Sequence, residues 1–292
     1  MKRFLKISTI TWLILCVFTA FAGCAGDHHA GLRTESLAGL NGFTQKQYGV
    51  FLDFDGDISE LSDYEYLVID ARYHDKSEFL RKPDKQHIYS YLNIGSLEDF
   101  SDYYDTYSDL ALGAYEHWEG EQWVDVSDKR WQDFILNELA PDQLSKGIDG
   151  FFVDNCDVYY NYPTDEILNG LAVIMKGLRS MGCDVIINGG DMFLDAYTEK
   201  IGAWSDVITG INQECVFTRI DWEEDRLTAA LDEDREYFTD YIEKYAALGA
   251  KIFLLEYADE SPENEALENR IATYCREQGF LYYISNSVNL DR

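Results

Sequence analysis

Two carboxylates stand where strongly apolar runs end. Asp154 closes Gly150-Phe-Phe-Val-Asp, and Glu214 follows shortly after Val207-Ile-Thr-Gly-Ile. Runs of that kind read as buried strands, so each acid sits at the edge of an apolar interior, half withdrawn from water. Two such groups facing each other can divide acid and base work. One, ionised, attacks a carbon centre or activates water, while the other stays protonated and donates to a leaving oxygen. Hydrolysis of a glycosidic bond requires that division. Read alone, Asp154 or Glu214 could equally cap a following helix, so the pairing depends on the fold.

Rival chemistries lack their signatures. His28, His29, His74, His87 and His117 offer no HxxxH spacing, and Cys156, Cys183, Cys215 and Cys275 contain no CxxC. There is no GxSxG, GxGxxG or phosphate loop. The sequence therefore predicts neither a metal nor a cofactor. Most of the four cysteines read as buried free thiols.

The elements that must position the acids follow from periodicity. Short β-rich apolar runs occur at 48–54, 66–70, 87–93, 150–154, 185–188, 207–211, 252–256 and 281–285, separated by helical stretches. One helix opens at Thr164-Asp165-Glu166 and stops at Gly182; another spans Glu223 to Leu248 and stops at Gly249. Pro83, Pro141, Pro163 and Pro262 are expected before or between elements. Eight strands alternating with helices predict an α/β fold, a single (β/α)8 TIM-type barrel over residues 45–292. The last helix of such a barrel is missing after residue 285, so the segment before the first strand is expected to cover that side.

A barrel of this type carries its site at the C-terminal strand ends. These ends are rich in acids and amides: Asp53, Asp55, Asp70, Asn93, Asp157, Asn188, Asp191, Asn212, Gln213 and Glu256. Trp118, Trp123, Trp131, Tyr159, Tyr160, Tyr162, Phe217 and Tyr257 lie in or near the same loops, where exposed ones could line a groove for a ring-shaped, polymeric ligand and the rest pack.

Of the 292 residues, 24 are Lys or Arg and 54 are Asp or Glu, for a net charge of -30. Such a surface repels phosphate backbones and anionic lipid, which excludes nucleic acid and a polybasic membrane patch as partners. Hydrophobic residues at 46% place the chain among folded proteins rather than acidic disordered ones. Lys2, Arg3 and Lys6 precede an apolar run from Ile10 to Phe21 and then Ala22-Gly23-Cys24. This reads as a signal peptide over 1–23, with Cys24 in position for lipidation and residues 24–44 as a tether. Removing the leader takes away three basic residues, leaving 21 against 54, or -33. The expected address is outside the cytoplasm, as a membrane-anchored lipoprotein or a secreted protein, with contact to membrane only through the lipid.

Several motifs in order carry a resemblance: SYLNIGSLEDF at 90–100, WEGEQWVDVSDKRWQDFI at 118–135, KGIDGFFVDNCDVY at 146–159, INGG at 187–190 and INQECVF at 211–217. Together they resemble the endo-α-1,4-polygalactosaminidases of glycoside hydrolase family 114, from about Tyr48 to Ser285. Cys156 departs from the residues common at its position in that family. The resemblance implies a barrel, a retaining mechanism with Asp154 as nucleophile and Glu214 as general acid/base, and no cofactor. Asp70, Asn93, Asp125, Asp157, Asn188, Gln213 and Tyr257 are the residues expected to hold sugar hydroxyls and amines. The implied substrate is an α-1,4-linked galactosamine-rich exopolysaccharide, a cationic polymer that an acidic cleft attracts. A surface lipoprotein that binds such polymers without cutting them, or a hydrolase of another α-linked glycan, are the alternative expectations.

Overall fold

The computed structural model describes residues 46–116, 118–224, 226–259 and 261–291. The leader, Cys24, the 24–44 tether and the segment expected to cover the last strand lie outside these residues.

Eight parallel strands follow one another in sequence order around a nearly closed barrel. They are β1 (Lys46–Phe51), β2 (Tyr64–Ile69), β3 (His87–Asn93), β4 (Gly150–Asp154), β5 (Asp184–Asn188), β6 (Gly210–Glu214), β7 (Lys251–Tyr257) and β8 (Leu281–Ser285). Alternation along each strand divides the apolar residues into two sets. Tyr48, Val50, Val68, Tyr89, Phe152, Ile186, Phe253 and Leu255 fill the interior. Phe51, Leu67, Ile88, Phe151, Val153, Val185, Ile211 and Leu254 belong to the larger core that includes the helices. At the seam between β8 and β1, the Phe51 and Tyr283 rings lie 5.2 Å apart, and the Asp53 N–H donates to the Leu290 carbonyl at 3.4 Å.

The helix after β4 forms for readable reasons. Thr164 accepts from the Ile167 N–H, Asp165 and Glu166 complement the positive N-terminal end, and Ile167, Leu171, Ile174, Met175 and Leu178 make one buried stripe over residues 165–180. Each such side chain contributes about 1.5–3 kcal/mol by leaving water. Among the described residues, no helix is long and apolar enough to cross a membrane.

Three expectations need correction. The sixth strand is Gly210–Glu214, not 207–211. Val207 and Ile208 are buried ahead of it, where they pack at the strand's entrance, and Gly210, Ile211 and Asn212 pair with Ile186, Ile187 and Asn188. Glu214 is thus held in the sheet instead of lying beyond it. The single helix expected over 223–248 is instead an antiparallel hairpin, 218–221 with 226–229, followed by a helix at 232–247 that opens on Asp232-Glu233-Asp234. Acidic residues favour that helix start, and Thr228 opposite Arg219 suits a strand better than a helix. Pro141 lies inside a helical stretch, not between elements. Helix 129–134 widens into a π turn at 135–139 and resumes at 140–146, so the wider turn absorbs the hydrogen bond and space that proline denies.

A three-stranded antiparallel sheet (96–98, 121–124 and 111–114) is inserted after β3. This insertion and the 218–229 hairpin approach each other through Trp118 and Trp222, whose rings lie 6.3 Å apart.

Candidate active site

Asp154, Asn188 and Glu214 end neighbouring strands β4, β5 and β6, and alternation turns all three into the mouth of the barrel. The Asn188 amide nitrogen donates to both acids, at 3.0 Å to Asp154 Oδ1 and 2.6 Å to Glu214 Oε1. One nitrogen serves both contacts, so those oxygens lie no farther apart than the sum of the two distances. The amide is itself oriented: Asn212 donates to Asn188 Oδ1 at 2.7 Å, and the buried Tyr48 hydroxyl donates to Asn212 Oδ1 at 3.0 Å. With its carbonyl oxygen occupied, Asn188 can present only N–H groups to the acids.

Glu214 receives a second donor, the Tyr257 hydroxyl, at 2.8 Å to Oε2. Burial pushes its carboxyl up to about 7, with the nearby Asp154 charge adding to the rise and the Asn188 and Tyr257 bonds opposing it. The result is an acid that remains substantially protonated near neutrality beside Asp154, the arrangement acid catalysis uses. Behind them, buried Glu256 accepts from the N–H groups of Val216, Phe217 and Thr218 at 2.9–3.2 Å and from the Thr218 hydroxyl at 2.6 Å. This ties down the turn that leaves Glu214, where Cys215 takes a left-handed φ of 55°.

Backbone close approaches support the same mouth. Asn155 adopts φ 66°, and a Cβ on Gly95 would lie 1.7 Å from the Asn155 carbonyl oxygen, so glycine is required there. Asn155 donates to Asn93 Oδ1 at 3.0 Å and Ser96 Oγ at 2.9 Å, and accepts from Tyr115 at 2.8 Å. Ser96 also donates to Glu121. Burial raises the Glu121 carboxyl, and the charges of Glu98 and Asp154 raise it further.

The cavity above the pair measures about 360 Å³. Its wall includes seven carboxylates, Asp53, Asp70, Glu98, Glu119, Glu121, Asp154 and Glu214, against one guanidinium, Arg72. Arg72 is held by Asp70 at 2.7 Å and Glu98 at 3.3 Å. Even with Glu214 protonated, six acids face one guanidinium, and a cavity with this charge balance concentrates cations. Among the described residues, no three His, Cys, Asp or Glu side chains are placed to share a metal ion.

The residues expected to hold sugar are distributed unevenly. Asp70 and Asn188 line the cavity. Tyr257 reaches the site through its bond to Glu214, and Asn93 stands behind the wall, donating to Ser96 at 2.7 Å. Asp125, Asp157 and Gln213 are not among the lining residues. Asp125 is used by the turn at Ser127, whose N–H and hydroxyl it accepts. Asp157 accepts from the Gly190 N–H. Gln213 points to the opposite face of β6 from Asn212 and Glu214. Of the aromatics, Trp118 lines the cavity, whereas Trp123, Trp131, Tyr159 and Phe217 are buried packing residues.

Sequence reasoning missed Tyr48 and Asn212 as the supports of Asn188. It also missed Glu98, Glu121, Arg72 and Tyr73 as wall residues. Asn212 had a signal, since it lies two residues before Glu214 and so shares its face. Glu98 and Glu121 lie inside the motifs at 90–100 and 118–135, but the insertion that carries them was not visible as strands, so nothing turned them towards the mouth.

A parallel (β/α)8 barrel whose mouth holds two carboxylates hydrogen-bonded to one amide under an acidic cavity is an arrangement that barrel glycoside hydrolases use. The sequence matches the model of glycoside-hydrolase family GH114 over residues 33–291, and the chain belongs to that family. Its fold is similar to the glycoside hydrolase domain of PelA from Pseudomonas aeruginosa, with TM-score 0.69 at 17% identity over 84% of this chain and 96% of that one. It is also similar to Aspergillus fumigatus Ega3, solved in complex with galactosamine, with TM-score 0.61 at 18% identity over 88% and 97% of the two chains. The maltogenic α-amylase AmyB from Thermotoga neapolitana shares the fold more loosely, with TM-score 0.53 at 10% identity over 85% and 68%. No curated protein sequence matches the chain.

Proposed function

We propose that this glycoside hydrolase is an endo-acting enzyme on α-1,4-linked galactosamine-rich exopolysaccharide, exported from the cytoplasm and held by a lipid on Cys24 or released, where it remodels or degrades biofilm matrix. The observation that carries the reading is the single Asn188 amide donating to both Asp154 and Glu214.

Asp154 attacks the anomeric carbon while Glu214 gives its proton to the departing glycosidic oxygen. Glu214, now ionised, takes a proton from water, whose oxygen displaces Asp154 and restores both groups. Retention is the reading we adopt because the shared nitrogen holds one oxygen of each acid in contact with the same amide, a closeness that suits a retaining pair. A carboxyl at about 7 on Glu214 fits the proton donor. The preference for a cationic amino-sugar polymer rests on the seven wall carboxylates, and the galactosamine in the Ega3 structure has the matching chemistry. No cofactor enters the scheme.

The test is product release from partly deacetylated galactosaminogalactan by the wild type, Asp154→Asn and Glu214→Gln. The wild type should release oligosaccharides, with both variants reduced at least 10³-fold, a loss of about 4 kcal/mol of transition-state stabilisation. Binding without any cleavage would instead make the protein a glycan-binding lipoprotein, and undiminished activity in the variants would remove the assigned roles.

A further inference from the structure

Two of the most exposed large side chains among the described residues, Phe100 at 66% and Tyr73 at 61%, are both wall residues of the cavity above Asp154 and Glu214. An aromatic face left in water forgoes the stabilisation that burial gives, so two at one end of one cavity call for an occupant. Their neighbours state its chemistry. Asp70 follows β2 and lies three residues before Tyr73, Glu98 lies two residues before Phe100, and Asp53 follows β1; all three acids line the same cavity. Arg72, the one guanidinium of the wall, is occupied by Asp70 and Glu98. Its single charge offsets one of the three acids, and its guanidinium carbon lies 5.7 Å from the Tyr73 ring centre, so the patch stays net negative; rings that present a flat apolar face beside it suit a ligand that is itself flat and apolar on one side and positively charged at its edge. A pyranose bearing an ammonium has that form, and an ammonium near an aromatic face gains about 0.5–2 kcal/mol. The platform stands on the β1, β2 and β3 ends, whereas Asp154 and Glu214 end β4 and β6, so the two groups take different parts of the cavity rim.

We propose that Phe100 and Tyr73, with Asp53, Asp70 and Glu98, form a distal subsite that holds amino-sugar units of the same chain away from the scissile bond. This rests on the polymer-cleaving function proposed above and gives the bound chain a direction across the mouth, from the β4–β6 pair towards the β2 and β3 loops. Binding energy gained there is available to a long chain and denied to a short one, which is the selectivity an endo-acting enzyme needs.

The experiment measures kcat/KM on a ladder of α-1,4-galactosamine oligosaccharides of increasing length and on its fully N-acetylated counterpart, for wild type, Phe100→Ala, Tyr73→Ala and Phe100→Tyr. Leu80→Ala, exposed and outside the cavity, controls for nonspecific surface effects. The wild type should gain in kcat/KM with length on the deacetylated ladder. Each alanine variant should lose 2- to 30-fold of that gain, from the ~0.5–2 kcal/mol of one ring contact. Phe100→Tyr should restore it, and the N-acetylated ladder should show a smaller gain. If the length dependence is identical in wild type and alanine variants while cleavage proceeds, the subsite is overturned and the catalytic assignment stands. If the wild type cleaves neither ladder, the function and the subsite fall together.

Discussion

The Tyr257 hydroxyl donates a 2.8 Å hydrogen bond to Oε2 of Glu214, the carboxyl that burial has already pushed up to about 7. The bond favours the ionised form, so it holds the pKa below where burial alone would take it. Tyr257→Phe removes that donor and leaves the ring in place. Glu214 should then titrate about one to two units higher, since a hydrogen bond to a charged group contributes about 1.5–3 kcal/mol and a unit corresponds to 1.36 kcal/mol. Activity that needs protonated Glu214 falls as pH rises through its pKa, so the alkaline limb of the kcat/KM profile should sit near 7 in the wild type and move upward in the variant. A limb that stays in place would separate Glu214 from the acid role.

Asn188 and Asn212 make different demands on the site although they are hydrogen-bonded neighbours. Asn188→Ala removes the donor common to both acids and should lower kcat by about 10²–10³, the scale of losing one preorganised donor. Asn212→Ala leaves those two bonds and only frees the Asn188 amide to rotate. A loss of about tenfold, mostly in kcat, is expected, and Tyr48→Phe should resemble it because Tyr48 acts through Asn212. Steady-state kinetics on the polymer checks the order. Equal losses in all three variants would mean that the chain acts as one unit.

Much of this geometry was legible in the sequence, and the boundary has a physical reason. Asp154 was readable because Gly150-Phe-Phe-Val is a continuous apolar run that pairs on both sides, with β3 and β5. Glu214 was read at the right position from the wrong strand boundary, since Val207 and Ile208 are as apolar as a strand yet enter the core before pairing begins. Asp157 and Gln213 looked equivalent to Asp70 in sequence, because proximity to a strand end does not state which way a side chain turns, and Asp125 entered through the resemblance alone. The 96–124 insertion left no regular alternation, and with it Glu98, Glu121 and the setting of Phe100 stayed hidden.

Glu256 gives a prediction about stability. Burial pushes its carboxyl to about 7 against the opposing hydrogen bonds from Thr218, Phe217 and Val216. In the unfolded chain a glutamate titrates near 4.3. Between these values the folded state binds more protons, so the contribution is full at low pH and is lost as pH rises through about 7. Glu214 acts in the same direction. The wild-type Tm should therefore fall between pH 5 and 8. Glu256→Gln should change Tm little at pH 5, where the protonated carboxyl and the amide each present one carbonyl oxygen to these donors. It should flatten the slope. A slope unchanged by the substitution would mean that the donors keep Glu256 ionised throughout.

The cavity charge yields a prediction that separates attraction from chemistry. Seven wall carboxylates face one guanidinium that is already paired, and the Debye length shrinks from ~30 Å at 0.01 M to ~10 Å at 0.1 M and ~3 Å at 1 M. Capture of a polymer carrying ammonium groups should weaken over that range. Proton transfer inside the cavity, between groups in contact, should not. Raising salt should therefore raise KM for a partly deacetylated galactosamine polymer by about tenfold and leave kcat nearly constant. A fully N-acetylated polymer lacks the charge and should show little change in either parameter. The comparison is read from initial rates at matched pH. Equal salt responses on both polymers would assign the wall carboxylates to hydrogen bonding of hydroxyls and remove charge as the basis of substrate choice.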